Sequence, residues 1–303
     1  MSISLKLIAV IFLLIPLRSS SQGCSDAGIC TVPAFLPGAD TLAQNRHNQI
    51  GAGISYGKAD NDVSVLSSYL EYKSQLSSRV SADLKITQIR QEGGGISSNG
   101  LSDLFMNFTY STNKKIHASA GLKIPLSDAN RKLNGLALPM DFQSSMGSLD
   151  LLAGLSGKLG PVNIALAAQV PLSTNKNTYR SSEHPVSSYL ASFQTTNEYE
   201  RSPDLMLRIS YSIPLTQTLT ITPGILPIYH LSDDTYRDPS NSERISIKGS
   251  AGLTLNANLF LDYQICQTGT LGFSFGAPLV NRDARPDGLT REYVLTAAYK
   301  HRF

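Results

Sequence analysis

Residues 289–303, the last stretch of the chain, read LTREYVLTAAYKHRF and decide the fold. Counting back from Phe303, alternate residues are mostly aromatic or aliphatic, and the residues between them are mostly charged or small. Because successive strand residues point to opposite sides of a sheet, this stretch predicts a strand with one apolar face and one polar face. Such a terminal strand, ending in an aromatic residue, is typical of bacterial outer-membrane barrels. A strand of a soluble β-sandwich is the alternative.

The first residues have the pattern of a secretory signal peptide. Lys6 supplies a positive charge, residues 7–17 are mostly apolar, and residues 19–21 are small enough for cleavage after them. This apolar run is shorter than the ~18 residues of a membrane-spanning helix. We therefore expect residues 1–21 to be removed. A lipoprotein acylated at Cys24 is the alternative, and it fits less well because the leucine expected before Cys24 is missing.

The composition narrows the classes of function. Charged residues make up 16% of the chain, Trp is absent, and the formal net charge is +3, with a mean hydropathy of -0.08. The sequence has no basic block and no basic–aromatic motif of the kind that indicates nucleic-acid binding. The length allows one large all-β domain or two smaller ones. We expect no cofactor.

The cysteines indicate a small structural link near the start of the exported chain. Cys24 and Cys30 are close in sequence, so we expect a disulfide between them. A metal site with two thiolates is the alternative, and it would need ligands from elsewhere. Cys266 is left over at a predicted strand end. Residues 22–45 have no clear period, so we expect a leader segment that is either periplasmic or tucked into a lumen.

From residue 46 onward, alternation of apolar and polar residues predicts about twelve strands. The second is the weakest, and the ninth is irregular because it contains Pro223 and Pro227. The connections after even-numbered strands are short, whereas most of the others are longer. Outer-membrane barrels have this arrangement of short turns on one rim and long loops on the other, and an even number of strands. The predicted strands are 46–57, 62–72, 78–90, 101–112, 116–124, 147–157, 162–170, 204–213, 218–230, 253–265, 271–279 and 289–303.

Five tyrosines on the apolar faces support a membrane location. Each lies near the end of a strand that leads into a short turn or, for the last, into the chain end. A tyrosine suits a membrane interface because its ring is apolar and its hydroxyl stays in water. In hydrocarbon every backbone polar group must be paired, so a β protein spans a membrane only as a closed cylinder. These tyrosines are Tyr72, Tyr110, Tyr211, Tyr263 and Tyr299.

We therefore predict an all-β protein, a single antiparallel transmembrane β-barrel over residues 46–303, in the outer membrane of a Gram-negative bacterium. Its turns would be periplasmic and its long loops extracellular. The polar faces would enclose the lumen, where they either form a salt-bridge network that plugs it or line a path for a small solute. Barrels of about eight strands are filled by side chains and those of about sixteen hold an aqueous channel, so twelve is intermediate. The candidate lumen-lining residues are Arg79, Asp83, Lys85, Asp103, Asn107, His117, Lys123, Asp204, Arg208, Asn256, Asn258, Asp262, Lys300 and Arg302.

Three arginines are candidates for the outer mouth. Arg282, Arg285 and Arg291 flank a PDG sequence that is typical of a tight turn. Their positive charges would screen anionic solutes or bind lipopolysaccharide, two hypotheses that rest on charge clustering.

Catalysis is the competing class of function. Some barrels of this size are phospholipases that use Ser and His near the bilayer edge. His117 with Ser119, and His301 on the closing strand, are the candidates, but no Ser–His–carboxylate spacing accompanies them. We predict that the chain is not an enzyme.

Several segments resemble a known outer-membrane family. They are residues 100–104 (GLSDL), 249–256 (GSAGLTLN), 277–280 (APLV) and 285–291 (RPDGLTR). These are similar to segments of the family named for the meta-pathway of phenol degradation, and residues 23–30 resemble leaders of its Bacteroidetes-type members. The resemblance implies passage of small, often hydrophobic or aromatic molecules, in the manner of the fatty-acid and toluene porins. The polar predicted lumen fits an aromatic substrate less well.

The sequence thus predicts an outer-membrane channel that passes small molecules by diffusion. A plugged structural barrel and a barrel-edge lipid hydrolase are the alternatives. The expected partners are outer-membrane lipid, the barrel-assembly machinery through the strand ending at Phe303, and a small-molecule solute.

Overall fold

The computed structural model describes residues 28–37, 48–112, 116–288 and 291–303. Twelve long strands form an antiparallel sheet that closes on itself, since the first strand pairs with both the second and the last. Among these residues, no helix is long and apolar enough to cross a membrane. The predicted all-β barrel is confirmed.

The barrel strands follow one another around the cylinder in chain order. They are β1 Gln49–Lys58, β2 Ser64–Gln75, β3 Val80–Gly93, β4 Ile96–Ser111, β5 Ile116–Pro125, β6 Asp150–Leu159, β7 Val162–Pro171, β8 Asp204–Tyr211, β9 Leu219–His230, β10 Gly252–Gln264, β11 Gly269–Val280 and β12 Tyr293–Arg302. The connections also contain short strands. These are Lys132–Leu133, paired with Leu136–Ala137; Thr235–Arg237, paired with Arg244–Ser246; and Ile213–Pro214. The 3-10 turns of the leader and the connections are Ile29–Thr31, Pro33–Phe35, Asp60–Asp62, Met140–Phe142, Ser181–Glu183 and Tyr189–Ser192.

Alternation along each strand separates an apolar outer face from a polar inner face. Large aliphatic and aromatic side chains on the outside remain exposed, as Leu84, Ile209 and Leu259 show with 40%, 37% and 39% exposure. In a β-sandwich these side chains would pack between two sheets. Their exposure on a closed cylinder is the arrangement that hydrocarbon requires.

The two rims of the barrel differ. On one rim, the connections after β2, β4, β6, β8 and β10 contain at most seven residues; we call this the short-turn rim. On the opposite, long-loop rim, the connections 126–149, 172–203, 231–251 and 281–292 are longer. Four of the six connections on this rim are therefore long, as the sequence predicts for most of them. The other two, β1–β2 and β3–β4, are short.

The β3–β4 connection differs from the sequence prediction. The sequence predicts a loop between residues 90 and 101, whereas β3 continues to Gly93 and β4 begins at Ile96. Gly94 and Gly95 have φ angles of 56° and 77°, which a two-residue hairpin turn requires and which glycine adopts without strain. The glycine run therefore makes a tight turn between two long strands.

Aromatic side chains lie on the outer face near both rims. The five tyrosines predicted for the interface are all exposed. Tyr263 and Tyr299 both oppose Leu271 from neighbouring strands, so they lie at one level near the short-turn rim. Near the long-loop rim, the rings of Tyr56 and Tyr293 are 6.3 Å apart. Two aromatic levels therefore bracket the apolar band, as in outer-membrane barrels.

Candidate functional site in the barrel lumen

Residues 28–37, which we call the lumen segment, lie inside the barrel. Their apolar side chains pack against inward-facing apolar residues of β4 and β6–β9. The sequence leaves the leader either periplasmic or in a lumen, and this part of it lies in the lumen; residues 22–27 and 38–45 lie outside the described residues, as does the predicted signal peptide. The cluster contains Ile29, Cys30, Val32, Ala34 and Phe35 of the segment and Phe105, Leu152, Ala165, Ala167, Met206 and Leu226 of the barrel.

Arg208 on β8 is the main polar anchor of the lumen segment. Its Nη1 donates a hydrogen bond to the carbonyl oxygen of Phe35 and its Nη2 to that of Cys30, both at 2.8 Å. The guanidinium is buried and lies 5.7 Å from the centre of the Phe260 ring. Because the guanidinium donors are held in one plane, a single side chain fixes both 3-10 turns of the segment.

Two further anchors come from β3 and β7. Lys85 Nζ lies 3.4 Å from the carbonyl oxygen of Thr31 and 4.4 Å from the centre of the Tyr69 ring. On β7, Gln169 Oε1 accepts a hydrogen bond from the backbone N–H of Ile29 at 3.1 Å. The anchors pair backbone groups of the segment that would otherwise be buried without partners. Three strands therefore hold the segment across part of the lumen.

The cysteine predictions fall partly outside the described residues. Cys24 is not among them, so its disulfide with Cys30 stays a prediction; Cys30 itself is buried in the lumen segment. Cys266 is an exposed free thiol in the β10–β11 turn. Hydrogen bonds from the backbone and side chain of Thr268 lower the pKa of Cys266. In the described part of the chain, no cluster of His, Cys, Asp and Glu side chains could hold a metal ion.

Two adjacent cavities adjoin the lumen segment. One, of about 590 Å³, lies between the segment and the short-turn rim, and we call it the vestibule. The other, of about 120 Å³, continues beside the segment, mainly along β2 and β10–β12. Four residues line both cavities, so the two cavities lie next to each other. The shared residues are Leu36, Glu71, Asp262 and Lys300.

Glycines on β1 keep this side of the lumen open. A Cβ atom on Gly53 would lie 2.5 Å from the ring of Tyr69, and one on Gly51 would lie 2.6 Å from the side chain of Glu71. Both distances are shorter than any ordinary contact, so the glycines allow the two β2 side chains to lie flat against the wall. The lumen thus has one half filled by the segment and another half widened by glycine.

Most of the predicted lumen-lining residues face the interior. Arg79 does not: it is exposed in the turn before β3, with Nη1 3.5 Å from the Tyr110 hydroxyl oxygen. Strand β3 begins at Val80, so Arg79 lies beyond the barrel wall, and its predicted place in the lumen is corrected. The residues that are buried are Asp83, Lys85, Asp103, Asn107, His117, Lys123, Asp204, Arg208 and Asn256, and those that are half-buried are Asn258, Asp262, Lys300 and Arg302.

Part of the interior is a closed polar network of the kind that a plugged barrel requires. Lys123 Nζ lies 2.8 Å from Asp150 Oδ2, and both side chains are fully buried. Asp103 accepts hydrogen bonds from the hydroxyls of Ser145 and Ser102 at 2.6 and 2.9 Å. Burying these charges costs desolvation energy that close pairing offsets. The network fills the lumen between β4 and β6.

The three arginines predicted for the outer mouth are engaged in the loops. Arg282 Nη2 lies 3.2 Å from Asp287 Oδ2, and Arg285 Nη2 lies 2.8 Å from Asp60 Oδ1. Arg291 is buried. The Arg285–Asp60 pair holds the β11–β12 connection against the β1–β2 turn, and the Arg282–Asp287 pair lies within the connection. Screening of anions and binding of lipopolysaccharide stay hypotheses.

A buried network at the long-loop rim has no signal in the sequence. His230 Nδ1 lies 2.6 Å from Asp204 Oδ1, and its Nε2 lies 2.7 Å from Asp234 Oδ1. Both ring nitrogens of an imidazolium donate, so a protonated His230 fits this geometry, with one carboxylate at each nitrogen. Asp234 also accepts a hydrogen bond from the Tyr199 hydroxyl at 2.7 Å. His230 and Asp204 are 26 residues apart, so no local motif shows the link between the β7–β8 and β9–β10 loops.

Long loops pack over the long-loop rim. The rings of Phe142, Tyr189 and Phe193 contact one another with centroid distances of 5.2 to 6.3 Å. The Tyr189 hydroxyl donates a hydrogen bond to the carbonyl oxygen of Asn61 at 2.7 Å. Loops 126–149 and 172–203 are thereby tied to the β1–β2 turn, and we call them the loop cap.

One carboxyl group of the loop cap is held in an unfavourable place for a charge. Burial, with further contributions from the nearby carboxylates of Asp60 and Asp287, raises the pKa of Asp141 to about 7. Burial also raises the pKa of Asp60, which the neighbouring Arg285 opposes. The loop cap therefore contains one acidic group, Asp141, that titrates near neutral pH.

The candidate catalytic side chains do not form a pair. His117 Nδ1 lies 2.9 Å from the Ser111 hydroxyl, whereas the Ser119 hydroxyl lies 2.8 Å from that of Thr109. His301 lies between the rings of Tyr299 and Phe303. The absence of enzymatic activity stays a prediction.

No protein-family model matches the sequence, and no curated protein matches it. Several solved structures are remotely similar, among them two porins and a FadL homologue. The NanC porin is 8% identical, with a TM-score of 0.44 over 84% of this chain and 97% of that chain; the KdgM porin is 8% identical, with 0.43 over 84% and 99%. A FadL homologue from Pseudomonas aeruginosa is 9% identical, with 0.40 over 93% and 98%. The likeness to the meta-pathway family stays a prediction.

The location of the protein follows from its own geometry. The barrel is closed, so every strand has two neighbours, and the large apolar side chains point outward between two aromatic levels. The chain is a twelve-stranded β-barrel of the Gram-negative outer membrane.

Proposed function

We propose that the protein is an outer-membrane channel that passes small solutes by diffusion. The proposed solute path runs through the vestibule and the adjacent narrower cavity, along the half of the lumen that the segment leaves unfilled. The observation that carries this proposal is the pair of β1 glycines, Gly51 and Gly53, which let large side chains lie against the wall. In a barrel that serves only as a wall, the lumen would not need such space.

The lumen segment sets the width of this path. It fills the side of the lumen formed by β4 and β6–β9 and is held by Arg208, Lys85 and Gln169. When it moves away from Arg208, the path widens. The proposal includes export through the signal peptide at residues 1–21 and insertion by the barrel-assembly machinery through the closing strand.

Ion flux through single molecules in a planar lipid bilayer tests the channel. We expect stepwise currents in potassium chloride from the wild-type protein, and larger or more frequent steps from a variant with a loosened segment. Folded barrels keep a faster electrophoretic mobility before boiling, which verifies the material that is added. Absence of current from both folded proteins would reject the channel.

A plugged structural barrel is the second candidate, and the apolar packing of the lumen segment favours it. Five side chains of the segment are at most 3% exposed, and the Lys123–Asp150 pair fills the lumen nearby. If the barrel is plugged, neither the wild type nor a variant with a loosened lumen segment conducts ions. The two candidates therefore differ in a single measurement.

The finer prediction of hydrophobic or aromatic solutes rests on the sequence resemblance. Tyr69 and Phe260 line the narrower cavity and offer apolar ring faces. They stand beside Lys85 and Glu71, so a solute also meets charges. Uptake of phenol compared with glycerol into vesicles that contain the protein measures this preference, and equal uptake would oppose an aromatic path.

A further inference from the structure

We propose that the vestibule and the adjoining cavity select small organic anions, an inference that rests on the proposed channel and assigns the charge of its solute. Among the described residues, six basic and three acidic side chains line the two cavities. The basic residues are Lys73, Lys85, Lys158, Arg208, Lys300 and Arg302, and the acidic residues are Glu71, Asp83 and Asp262.

Two of the three acidic side chains, Glu71 and Asp83, are buried against the wall, whereas four of the six basic ones are not buried. Glu71 and Asp83 are 7% and 2% exposed. Glu71 lies over Gly51, and Asp83 Oδ2 accepts a hydrogen bond from Asn107 Nδ2 at 3.0 Å. The Lys300 side chain, 32% exposed, is 3.9 Å from Glu71 Oε1. Lys300 therefore reaches further into water than Glu71 and Asp83 do.

Lys158 and Arg302 contribute two of these positive charges. Both line the vestibule, and neither forms an ion pair with another described residue. Lys158 is on β6 and Arg302 is on β12, six strands away in a ring of twelve, so the two face each other across the vestibule. A narrow space with low-dielectric walls concentrates such a field and raises the local concentration of the opposite charge.

The chemistry of these groups suits carboxylates and sulfonates. A guanidinium binds the oxygens of a carboxylate in a planar, bidentate way, and an ammonium adds a mobile point charge. The arginines of the long-loop rim do not compete for this role, because Arg282 and Arg285 are paired with Asp287 and Asp60. Selection by charge therefore belongs to the end of the lumen at the short turns.

Charged thiol reagents measure the vestibule potential without any need for ion flux. Thr220 lines the vestibule, so Thr220→Cys in a Cys266→Ser background places a thiol there. The native Cys266, exposed in a turn of the same rim, gives the reference, and the Cys266→Ser parent gives the background. We expect the ratio of rates for an anionic over a cationic methanethiosulfonate to exceed the reference by about threefold in ~0.1 M salt.

Charge reversal identifies the source of this bias. Lys158→Glu with Arg302→Glu is expected to bring the ratio below the reference, whereas Arg79→Glu, in an exposed turn of the same rim, is expected to leave it unchanged. A ratio equal to the reference in the wild-type vestibule, or one that the double reversal leaves unaltered in a protein with folded electrophoretic mobility, would overturn the inference.

The reversal potential in a bilayer gives the second readout. Under a tenfold gradient of potassium chloride, we expect a chloride-selective potential from the wild type and a shift towards potassium in the double variant. Potassium selectivity in the wild type would overturn the inference of anion selection, but it would still support the proposed channel. A labelling bias without any current would support the charge assignment and reject the proposed channel.

Discussion

Replacing Arg208 by methionine is expected to release the lumen segment and widen the path. Methionine keeps much of the length and apolar character of the side chain but has no donor. The variant loses the two hydrogen bonds of 2.8 Å to the carbonyl oxygens of Phe35 and Cys30. A hydrogen bond from a charged donor contributes roughly 1.5–3 kcal/mol. We take the lower figure for each because the released carbonyls can bind water in the adjoining cavity.

The loss of about 3 kcal/mol corresponds to an increase of roughly a hundredfold in the population with a displaced segment. Single-channel recording measures it as a higher open fraction, a larger conductance or both. Arg79→Met is the matched control, since it makes the same substitution in an exposed turn outside the lumen. If the Arg208→Met variant inserts as a folded barrel with the open fraction and conductance of the wild type, Arg208 does not hold the lumen segment in the path.

Three further predictions address the wall, the loop cap and the lipid face. Gly53→Val is expected to push the ring of its β2 neighbour into the lumen and reduce single-channel conductance, whereas Ala52→Val, on the outer face of the same strand, leaves it unchanged. The pKa of Asp141 is about 7 in the folded protein and about 4 in the unfolded chain, so the folded cap binds more protons between pH 4 and pH 7. The stability of the cap therefore falls as the pH rises through this range, by at most about 1.4 kcal/mol per pH unit. Asp141→Asn is expected to remove this dependence, measured as the protease sensitivity of loop 126–149 against pH; identical profiles of both proteins contradict the assignment. Leu259→Arg places a charge on the outer face and is expected to destabilise the barrel by roughly 2–4 kcal/mol if the site is near the bilayer centre, measured by urea unfolding from vesicles; an unchanged midpoint opposes lipid contact at this site.

The barrel is predictable because each strand carries both of its environments within its own sequence. Leu84 and Leu259 alternate with Asp83 and Asn258, so a few consecutive residues show which side meets lipid and which side meets the lumen. The ends of the strands are less predictable. Arg79 continues the alternation of β3 by one residue, but backbone pairing begins at Val80, and the alternation alone does not show where pairing starts.

The lumen segment is not predictable in the same way because its partners are distant in sequence. Arg208 lies 173 and 178 residues from the two carbonyl groups that it holds. A signal is nevertheless present on the inner faces of the strands. Phe105, Leu152 and Met206 interrupt otherwise polar faces, and all three belong to the apolar cluster that includes the segment. Apolar residues at lumen positions therefore indicate that something other than water lies against them.

The lumen is divided between two sets of strands with different chemistry. The apolar positions that receive the segment occur on β4 and β6–β9, whereas the glycines occur on β1 and the unfilled path runs mainly along β2 and β10–β12. A segment that packed equally on all sides would need apolar residues around the whole ring and would close it. Since the apolar patch covers one arc alone, the hydrophobic effect holds the segment to that arc and leaves the opposite one, where Lys300 and Arg302 meet water, to a solute.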